Sequence, residues 1–435
     1  MPALIDRLKA AAAALGRTPP QGAPHPDHDD MSAMLGAVGG ALLGSSRAAN
    51  EVESTLHALA VAYGHPDMRS FVLPTLVLVE DESHTPAQTS IYPSTTSTLR
   101  LDQAGDVEKL VSKAAATLMP PAEVVAQLAR IRSAPPRFGP FVSILGHTIL
   151  TVGFGLVLNP TLSALPVYVV LGAIVGTIVV FGSRMATLAL ILPVFTAFAV
   201  TLLTTLVAGP LIADDALRLV APALVSFLPG LTLTIAAVEL TSQQIVAGAS
   251  RMVYGIAQLA LLAFGVFAAL VVLHVHDTTG TTMALGPWAP WVGIVLTALG
   301  FMLFSDGPKG AYPWILAALL IAYSAQLLGN LVVGAALSGF VGAVVVVPAV
   351  RLIRLIPGAP PAAVMMTCAY WLLVPGSLGF IGLTEATTGA DGATDTIVQT
   401  FVSLLAIALG MMVGAGISRD ASAVTHALRT APPTR

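Results

Sequence analysis

Long apolar runs fill the chain after residue 139, and this pattern limits the possible folds more than any other feature. Each run is close to the roughly 20 residues that a helix needs to cross the hydrocarbon core of a bilayer. In lipid only helices and closed barrels satisfy their own backbone hydrogen bonds, so these runs predict transmembrane helices. We place ten of them, at about residues 141–159, 166–183, 186–209, 217–238, 250–274, 289–306, 312–328, 330–349, 361–383 and 396–417.

The composition separates an N-terminal part from this apolar part. Only 10% of the residues are charged and mean hydropathy is +0.84, whereas soluble domains average about 25% charged residues. Before Gly139 there are 11 Lys/Arg and 14 Asp/Glu, and the much longer remainder has 9 of each. The net charge of −3 gives no indication of nucleic-acid binding. The single cysteine, Cys368, excludes an intrachain disulfide framework and a cysteine metal cluster.

We expect residues 1–32 to lack structure, because Arg17–Asp30 is rich in Pro, His and Asp. Residues 33–138 then predict a small α+β domain, in which Phe71–Val79 has the pattern of a buried strand. This domain has no P-loop, GxSxG or metal-spaced His/Cys motif. We therefore predict no catalytic residue, no metal site and no cofactor.

The basic residues of the apolar part predict the topology. With the N-terminal domain in the cytoplasm, eight of the nine lie on the cytoplasmic side, and only Arg218 lies outside. Both termini are then cytoplasmic. The eight are Arg184, Arg251, Lys309, Arg351, Arg354, Arg419, Arg429 and Arg435.

Two of the apolar runs, Leu224–Glu239 and Tyr370–Glu385, are interrupted by Pro-Gly and end on a glutamate. The prolines are 146 residues apart, and so are the glutamates. Proline and glycine break a helix, and matched broken spans in two halves indicate the binding site of a transporter. The predicted fold is thus an all-α membrane protein of ten helices in two inverted five-helix repeats, residues 139–280 and 281–435, after the α+β cytoplasmic domain.

The sequence also resembles the threonine/serine exporters (ThrE type). The resemblance rests on GALLGSSRAANEVESTLHALAVAYG from Gly40, on DVEKLVSKAAATL and EVVAQLARI, and on LVSFLPGLTLTIAAVELTSQQIVAGASRMVYG around the first break. It implies an exporter of threonine and serine in the plasma (inner) membrane, driven by the proton gradient. The alternatives are export of another small metabolite such as a dicarboxylate, and a membrane-anchored enzyme or regulator acting through the cytoplasmic domain.

The expected partners are a small-molecule substrate, protons and the lipid bilayer, and homo-oligomer formation is left open. Unwound backbone at the breaks offers amides and carbonyls to an amino acid, and nearby hydroxyls can bind its side chain. Those hydroxyls could equally bond back to their own helix. The candidate substrate-binding residues are Pro229, Gly230, Thr232, Thr234, Pro375, Gly376 and Ser377.

Three residues are candidates for proton coupling: Glu239, His147 and Glu385. A carboxylate buried in lipid is costly and tends to be functional. The competing interpretation of both glutamates is a carboxylate wetted at a helix end, and it is favoured for Glu385, which opens an acidic loop. For His147 the competing interpretation is a histidine that packs between helices near the cytoplasmic end of the first span.

Overall fold

The protein, described by a computed structural model, is mostly helical with one small sheet near its N-terminus. Residues 28–83, 86–94, 98–182, 186–208, 216–273, 284–373, 376–388 and 392–430 are the ones that the structure describes. An N-terminal domain, residues 28–133, precedes a series of long apolar helices that starts at Pro140.

Four helices pack with a three-stranded antiparallel sheet in the N-terminal domain, and the strand order is β1-β2-β3. The elements are α1 (His28–Gly44), α2 (Ala49–Ala62), β1 (Met68–Leu73), β2 (Leu76–Asp81), β3 (Gln88–Pro93), α3 (Leu101–Thr117) and α4 (Pro121–Ser133). Alternate strand residues, among them Val72, Val77 and Val79, are buried in one core with α1 and α2. The domain is therefore a small α+β unit.

Two local expectations change here. The single strand predicted over Phe71–Val79 is wrong, because the chain turns at Pro74–Thr75 and pairs Val72 with Val77 as a hairpin. Proline has no N–H to give to a strand ladder, which is why the run divides there. Helix α1 begins at His28, so residues 28–32 are helical although we expected no structure up to residue 32. Residues 1–27 lie outside the described ranges.

The apolar part consists of helices in the places where the apolar runs lie. They are α5 (Pro140–Leu158), α6 (Leu165–Gly182), α7 (Ala186–Leu203), α8 (Ala216–Ala223), α9 (Gly230–Thr241), α10 (Ile245–Leu273), α11 (Ala289–Phe304), α12 (Tyr312–Val333), α13 (Ala335–Ile353), α14 (Ala362–Leu373), α15 (Gly376–Thr388) and α16 (Ala393–Thr430).

Within the described residues, seven stretches are long and apolar enough to cross a membrane, and three shorter apolar helices accompany them at Ile191–Val207, Val225–Thr241 and Ala289–Phe304. Helix length thus supports seven spans where the hydropathy pattern predicted ten. Of these three, the first continues into a π-helical turn, Thr204–Ala208, the second contains the 3₁₀ turn before α9, and the third is α11 with 16 residues. The protein is a multi-pass membrane protein.

Helices α5 and α11 approach each other through glycines. An added Cβ on Gly153 would lie 2.6 Å from the backbone nitrogen of Thr297, and one on Gly293 would lie 2.7 Å from the carbonyl oxygen of Gly153. Small residues let helix backbones come close in lipid, where no hydrophobic force drives association. Any side chain at these positions would push the two helices apart.

The N-terminal domain is seated on one end of the helix bundle, here called the domain-facing end. At the α11–α12 connection, the carbonyls of Ser305 and Asp306 accept hydrogen bonds from the backbone N–H groups of Leu101 and Asp102 of α3, at 3.0 and 3.1 Å. At the α9–α10 connection, Gln244 donates to Glu53 of helix α2 at 2.6 Å. The α9–α10 and α11–α12 connections therefore lie on the same face of the bundle.

Candidate functional site

The first break separates α8 from α9. After α8 the chain forms one 3₁₀ turn, Val225–Phe227, and Leu228 is extended before α9 begins at Gly230. Pro229 precedes the first residue of α9 and has no N–H, so its place outside the helix leaves no donor unpaired. The carbonyl of Phe227 accepts a hydrogen bond from Gln258 of α10 at 2.9 Å. A neighbouring helix thus satisfies backbone that the break frees, as interrupted spans require.

The second predicted break, Pro375-Gly376, falls between α14, described to Leu373, and α15, described from Gly376. Pro375 and the side chain of Ser377 lie outside the described parts of the structure, so their predicted roles are not tested by it. Gly376 is the first described residue of α15, whereas Gly230 follows Pro229 as the first helical residue of α9.

Gly230 of the first break and Gly376 meet inside the bundle. An added Cβ on Gly376 would lie 3.3 Å from the Cα of Gly230, so these two segments of the chain touch at their glycines. Both glycines line one cavity of about 50 Å³. Most of its wall is apolar, and the lining residues are Phe154, Val157, Leu158, Val225, Leu228, Gly230, Leu231, Trp371, Leu372 and Gly376.

The predicted hydroxyl groups are not part of this wall. Thr232 is two residues past Gly230, about 200° around the helix, and therefore faces away from the cavity. Thr234 lies one turn farther along α9, is fully buried, and its hydroxyl has no hydrogen-bond partner among the described residues. The geometry brings the two glycines together and leaves both threonines outside the cavity wall.

Glu239 lies at the domain-facing end of α9 and is 0% exposed. Its Oε1 accepts the backbone N–H of Ala49 at 2.8 Å, and its Oε2 lies 3.2 Å from Nε of Arg251. The alternative of a wetted carboxylate is therefore wrong for Glu239. Its predicted part in proton coupling stays a prediction.

A second buried carboxylate, Glu108 of α3, joins the N-terminal domain to α14. Its Oε2 accepts the backbone N–H of Ala363 at 3.1 Å and the Arg47 guanidinium at 3.0 Å, and its Oε1 lies 3.4 Å from Arg354. Burial lowers the pKa of Arg47, but the carboxylates of Glu108 and Glu51 outweigh it and the pKa ends above its ordinary value. Arg47 therefore stays charged at any physiological pH.

His147 of α5 is fully buried beside the first break. Its Nδ1 lies 3.0 Å from the carbonyl oxygen of Gly172, and its Nε2 lies 3.0 Å from the hydroxyl of Ser226 in the 3₁₀ turn. A carbonyl only accepts, so Nδ1 carries a proton and donates, and Nε2 of the neutral ring accepts from Ser226. The ring also packs edge-on against Phe304, with centroids 5.0 Å apart. The structure thus ties His147 both to helix packing and to the break.

Glu385, the third candidate for proton coupling, lies at the opposite end of its helix from Gly376. It is half-buried near the end of α15, about 14 Å of helix past Gly376. The hydroxyl of Thr396, in the first turn of α16, donates to its Oε2 at 3.2 Å.

Residues 33–273 match the protein family described as "Putative threonine/serine exporter". The matched stretch is more than half of the chain. The chain belongs to the threonine/serine exporter family. No curated protein and no solved structure matches it.

The family match covers the N-terminal domain and helices α5 to α10, and it ends at the last residue of α10, Leu273. The first break, His147, Glu108 and Glu239 all lie inside it. The second break lies beyond it, so in this exporter-family chain the place of Gly376 rests on its contact with Gly230 and on the shared cavity.

The sequence analysis missed how this exporter-family chain joins its two parts. In the sequence, Glu108 and Arg47 stood only within the stretches that carry the family resemblance, and Arg354 only among the basic residues that predict the cytoplasmic side. One signal was available: Glu108 follows Val107 and precedes Leu110 and Val111 on the buried side of α3. A carboxylate at a core position of an amphipathic helix needs a partner, and the partner here comes from α14.

Proposed function

We propose that this protein is a secondary active exporter of small amino acids, threonine and serine, in the plasma (inner) membrane. The proton gradient drives it, and access to the substrate alternates around the two broken helices. One observation carries the proposal: Gly230, the first residue of α9, and Gly376, of the second predicted break, touch and line one cavity inside the bundle of a threonine/serine exporter family member.

The paired helix starts suit a carboxylate. The first N–H groups of a helix have no partner within it and carry a partial positive charge. Helix α9 begins at the cavity, at Gly230, and we infer that a second helix begins there after Pro375, at Gly376; neither glycine carries a side chain that would cover these groups. An amino acid bound there would place its carboxylate against the N–H groups and its ammonium against carbonyls of the 3₁₀ turn.

Reciprocal packing of α5 and α11 supports the inverted repeat. A side chain on Gly146 would meet Leu303 and Phe304, and one on Gly293 would meet Leu156 and Val157. Each contact of a residue in α5 with a residue in α11 therefore has a counterpart in which the corresponding residues of α11 and α5 meet. A twofold axis between two antiparallel helices requires this pattern. The corresponding residues, 147 positions apart, are Gly146 with Gly293, Gly153 with Gly300, Leu156 with Leu303 and Val157 with Phe304.

A second pair of contacts agrees with the repeat. Gly265 of α10 packs on Val194 and Ala197 of α7, and Gly410 of α16 packs on Phe340 and Ala343 of α13. The α13 residues are 146 positions after their α7 counterparts, and the two glycines differ by 145. We therefore assign residues 139–280 and 281–435 to the two repeats, with the three shorter apolar helices completing ten spans.

Contacts at the domain-facing end fit this topology. The loop before α10, the loop before α12 and the first turn of α14 all touch the N-terminal domain, through Gln244, Asp306 and Ala363. Between consecutive contacts the chain must cross the membrane twice. Arg251, Lys309, Arg351 and Arg354 belong to this face, which agrees with cytoplasmic termini.

The small cavity volume favours alternating access. A space of about 50 Å³ holds water molecules but not an amino acid. Substrate can therefore bind only after the helices around Gly230 and Gly376 separate toward one side of the membrane. The proposed cycle opens the cavity to each side in turn.

Proton coupling is assigned to His147 and Glu239, with Glu385 at the outer end. Protonation of His147 at Nε2 would turn the ring from an acceptor into a donor toward Ser226. Because Ser226 belongs to the 3₁₀ turn, this exchange would act directly on the first break. Protonation of Glu239 would weaken its pairing with Arg251.

A dicarboxylate is the second candidate substrate, since the same pair of helix starts would attract any carboxylate. Purified full-length protein in proteoliposomes, loaded with unlabelled threonine, should accumulate labelled threonine and serine by counterflow. An artificial proton gradient should drive uphill transport, and an uncoupler should abolish it while counterflow continues.

If labelled succinate shows counterflow and labelled threonine does not, the substrate is a dicarboxylate and not an amino acid. If uphill transport persists with an uncoupler, the proton gradient does not drive transport. If none of the labelled amino acids or dicarboxylates exchanges, the exporter proposal is wrong.

A further inference from the structure

The N-terminal domain holds the same two half-helices that begin or end at the cavity. Helix α9 runs from Gly230 at the cavity to Glu239, which accepts the N–H of Ala49. Helix α14 runs from Ala362, next to the Ala363 N–H that Glu108 accepts, to Leu373 just before the second break. Each has 12 residues, about 18 Å of helix.

The contacts form a reciprocal exchange of helix caps. Ala48, the residue before α2, has no side chain that can cap this helix. Instead, Glu239 of the membrane part accepts a hydrogen bond from the N–H of Ala49, the first residue of α2. Glu108 of the N-terminal domain does the same for the first turn of α14. A carboxylate at a helix start is favoured by the unpaired N–H groups and the helix dipole.

Arginines on both sides complete the charge balance. Arg251 neutralises Glu239 and also lies 3.5 Å from the Arg47 carbonyl, while Arg47 and Arg354 neutralise Glu108. Glu239 is 0% and Glu108 7% exposed. Arg251 stays with Glu239 and Arg47 stays with Glu108 when the domain leaves, but the hydrogen bonds to Ala49 and Ala363 and the Glu108–Arg354 pair cross the interface and form only when the domain is seated.

We infer that the N-terminal domain is the gate at this end of the transport path. Seated, it ties α9 to α14 and closes the cavity toward the domain; the half-helices can separate there only when the domain moves away. Because the helices are rigid, movement at Glu239 and Ala363 is transmitted along them to Gly230 and Gly376. The inference rests on the proposed function, to which it adds a moving part.

Accessibility of the cavity tests the gate without any substrate. In a Cys368→Ala background, Leu231→Cys places a thiol on the cavity wall. A membrane-impermeant maleimide is added on the domain side of oriented vesicles, and labelling is followed by mass spectrometry of that peptide. Glu108→Gln and Glu239→Gln keep the shape but remove the charge, and each should speed labelling about tenfold by weakening a charge-assisted contact.

A cross-link that fixes the domain is the decisive arm. Nε2 of Gln244 lies 2.6 Å from Oε2 of Glu53 across the interface. Cysteines at these two positions, Glu53→Cys and Gln244→Cys, can therefore be joined by a short reducible cross-linker. The joined protein should lose labelling of Leu231→Cys and lose counterflow, and reductant should restore both. The matched control joins Arg69→Cys to Glu82→Cys, whose parent side chains are 3.0 Å apart within the N-terminal domain.

The outcomes separate the gate from the exporter function. If the cross-linked pair labels and exchanges substrate like its reduced form, the gate is overturned while the exporter stands. If labelling of Leu231→Cys depends on the cross-link but no substrate exchanges, the gate is supported and the proposed exporter function is wrong. Equal effects of the control pair would also overturn the gate, because they would show general damage.

Discussion

At the scale of single residues, two glycines set the geometry of the proposed site. Gly230 and Gly376 are close enough that a Cβ on one lies against the backbone of the other. Their lack of a side chain leaves the helix starts open to a ligand. The two positions should therefore respond alike to substitution.

Replacing Gly230 or Gly376 by leucine should reduce counterflow at least about tenfold, because the side chain fills the cavity and covers the helix starts. Expression and insertion should remain, since leucine is compatible with lipid. Counterflow per inserted protein is the measurement. Gly416→Leu is the control, because Gly416 of α16 has no neighbour within 4 Å of an added Cβ. Normal transport by both cavity variants would place the site elsewhere.

Tyr63, at the end of α2, gives a test of the N-terminal domain. Its hydroxyl donates to the Met119 carbonyl at 2.6 Å, and burial raises its pKa to about 12. Tyr63→Phe should cost about 1 kcal/mol of stability at pH 7, the usual value of one buried hydrogen bond.

The pH dependence follows from the direction of the Tyr63 shift. A raised pKa means that the fold favours the protonated phenol, so this stabilisation is complete below the ordinary pKa near 10 and is lost as pH rises through about 12. The Tm difference between Tyr63→Phe and the parent, measured in detergent, should therefore shrink above pH 10. A constant difference from pH 7 to 12 would contradict the assignment.

At the scale of elements, connections decide how the helices pair. Helices α12 and α13 are joined by one residue, Gly334, with φ 81° and ψ 169°. This conformation is open essentially only to glycine. A single residue thus reverses the chain between two long helices.

Gly334→Ala should destabilise the protein by about 1–3 kcal/mol, the cost of strain in this region of backbone space. The measurement is Tm in detergent. Gly416→Ala is the matched control and should be neutral or stabilising, because alanine favours helix over glycine and the site is open. Equal Tm values for the parent and Gly334→Ala would mean that the connection has another conformation.

At the scale of the whole molecule, the proposed arrangement of ten spans in two repeats predicts the side on which each loop lies. In a Cys368→Ala background, Lys309→Cys and Arg351→Cys should be labelled only from the cytoplasmic side. Asp277→Cys and Asp391→Cys, at positions outside the described residues, should be labelled only from outside. Labelling of Lys309→Cys by an impermeant reagent on intact cells would refute the ten-span topology.

Much of the membrane architecture follows from local properties of the sequence. The apolar runs place helices because lipid requires each segment to satisfy its own backbone, and Pro-Gly places the break before Gly230 because neither residue supports a helix interior. Family membership also follows from the sequence. Two local predictions were wrong: the hairpin at Pro74 was taken as one strand because its apolar residues outweighed the proline, and residues 28–32 are helical.

Only the tertiary structure decided which distant groups meet. Ala49 and Glu239 are 190 residues apart in the chain, and Glu108 and Ala363 are 255 apart. Nothing in either segment alone predicts these pairs, because each partner is a backbone N–H, which every residue but proline carries. The packing of the domain on α9 and α14 selects which N–H each buried carboxylate reaches.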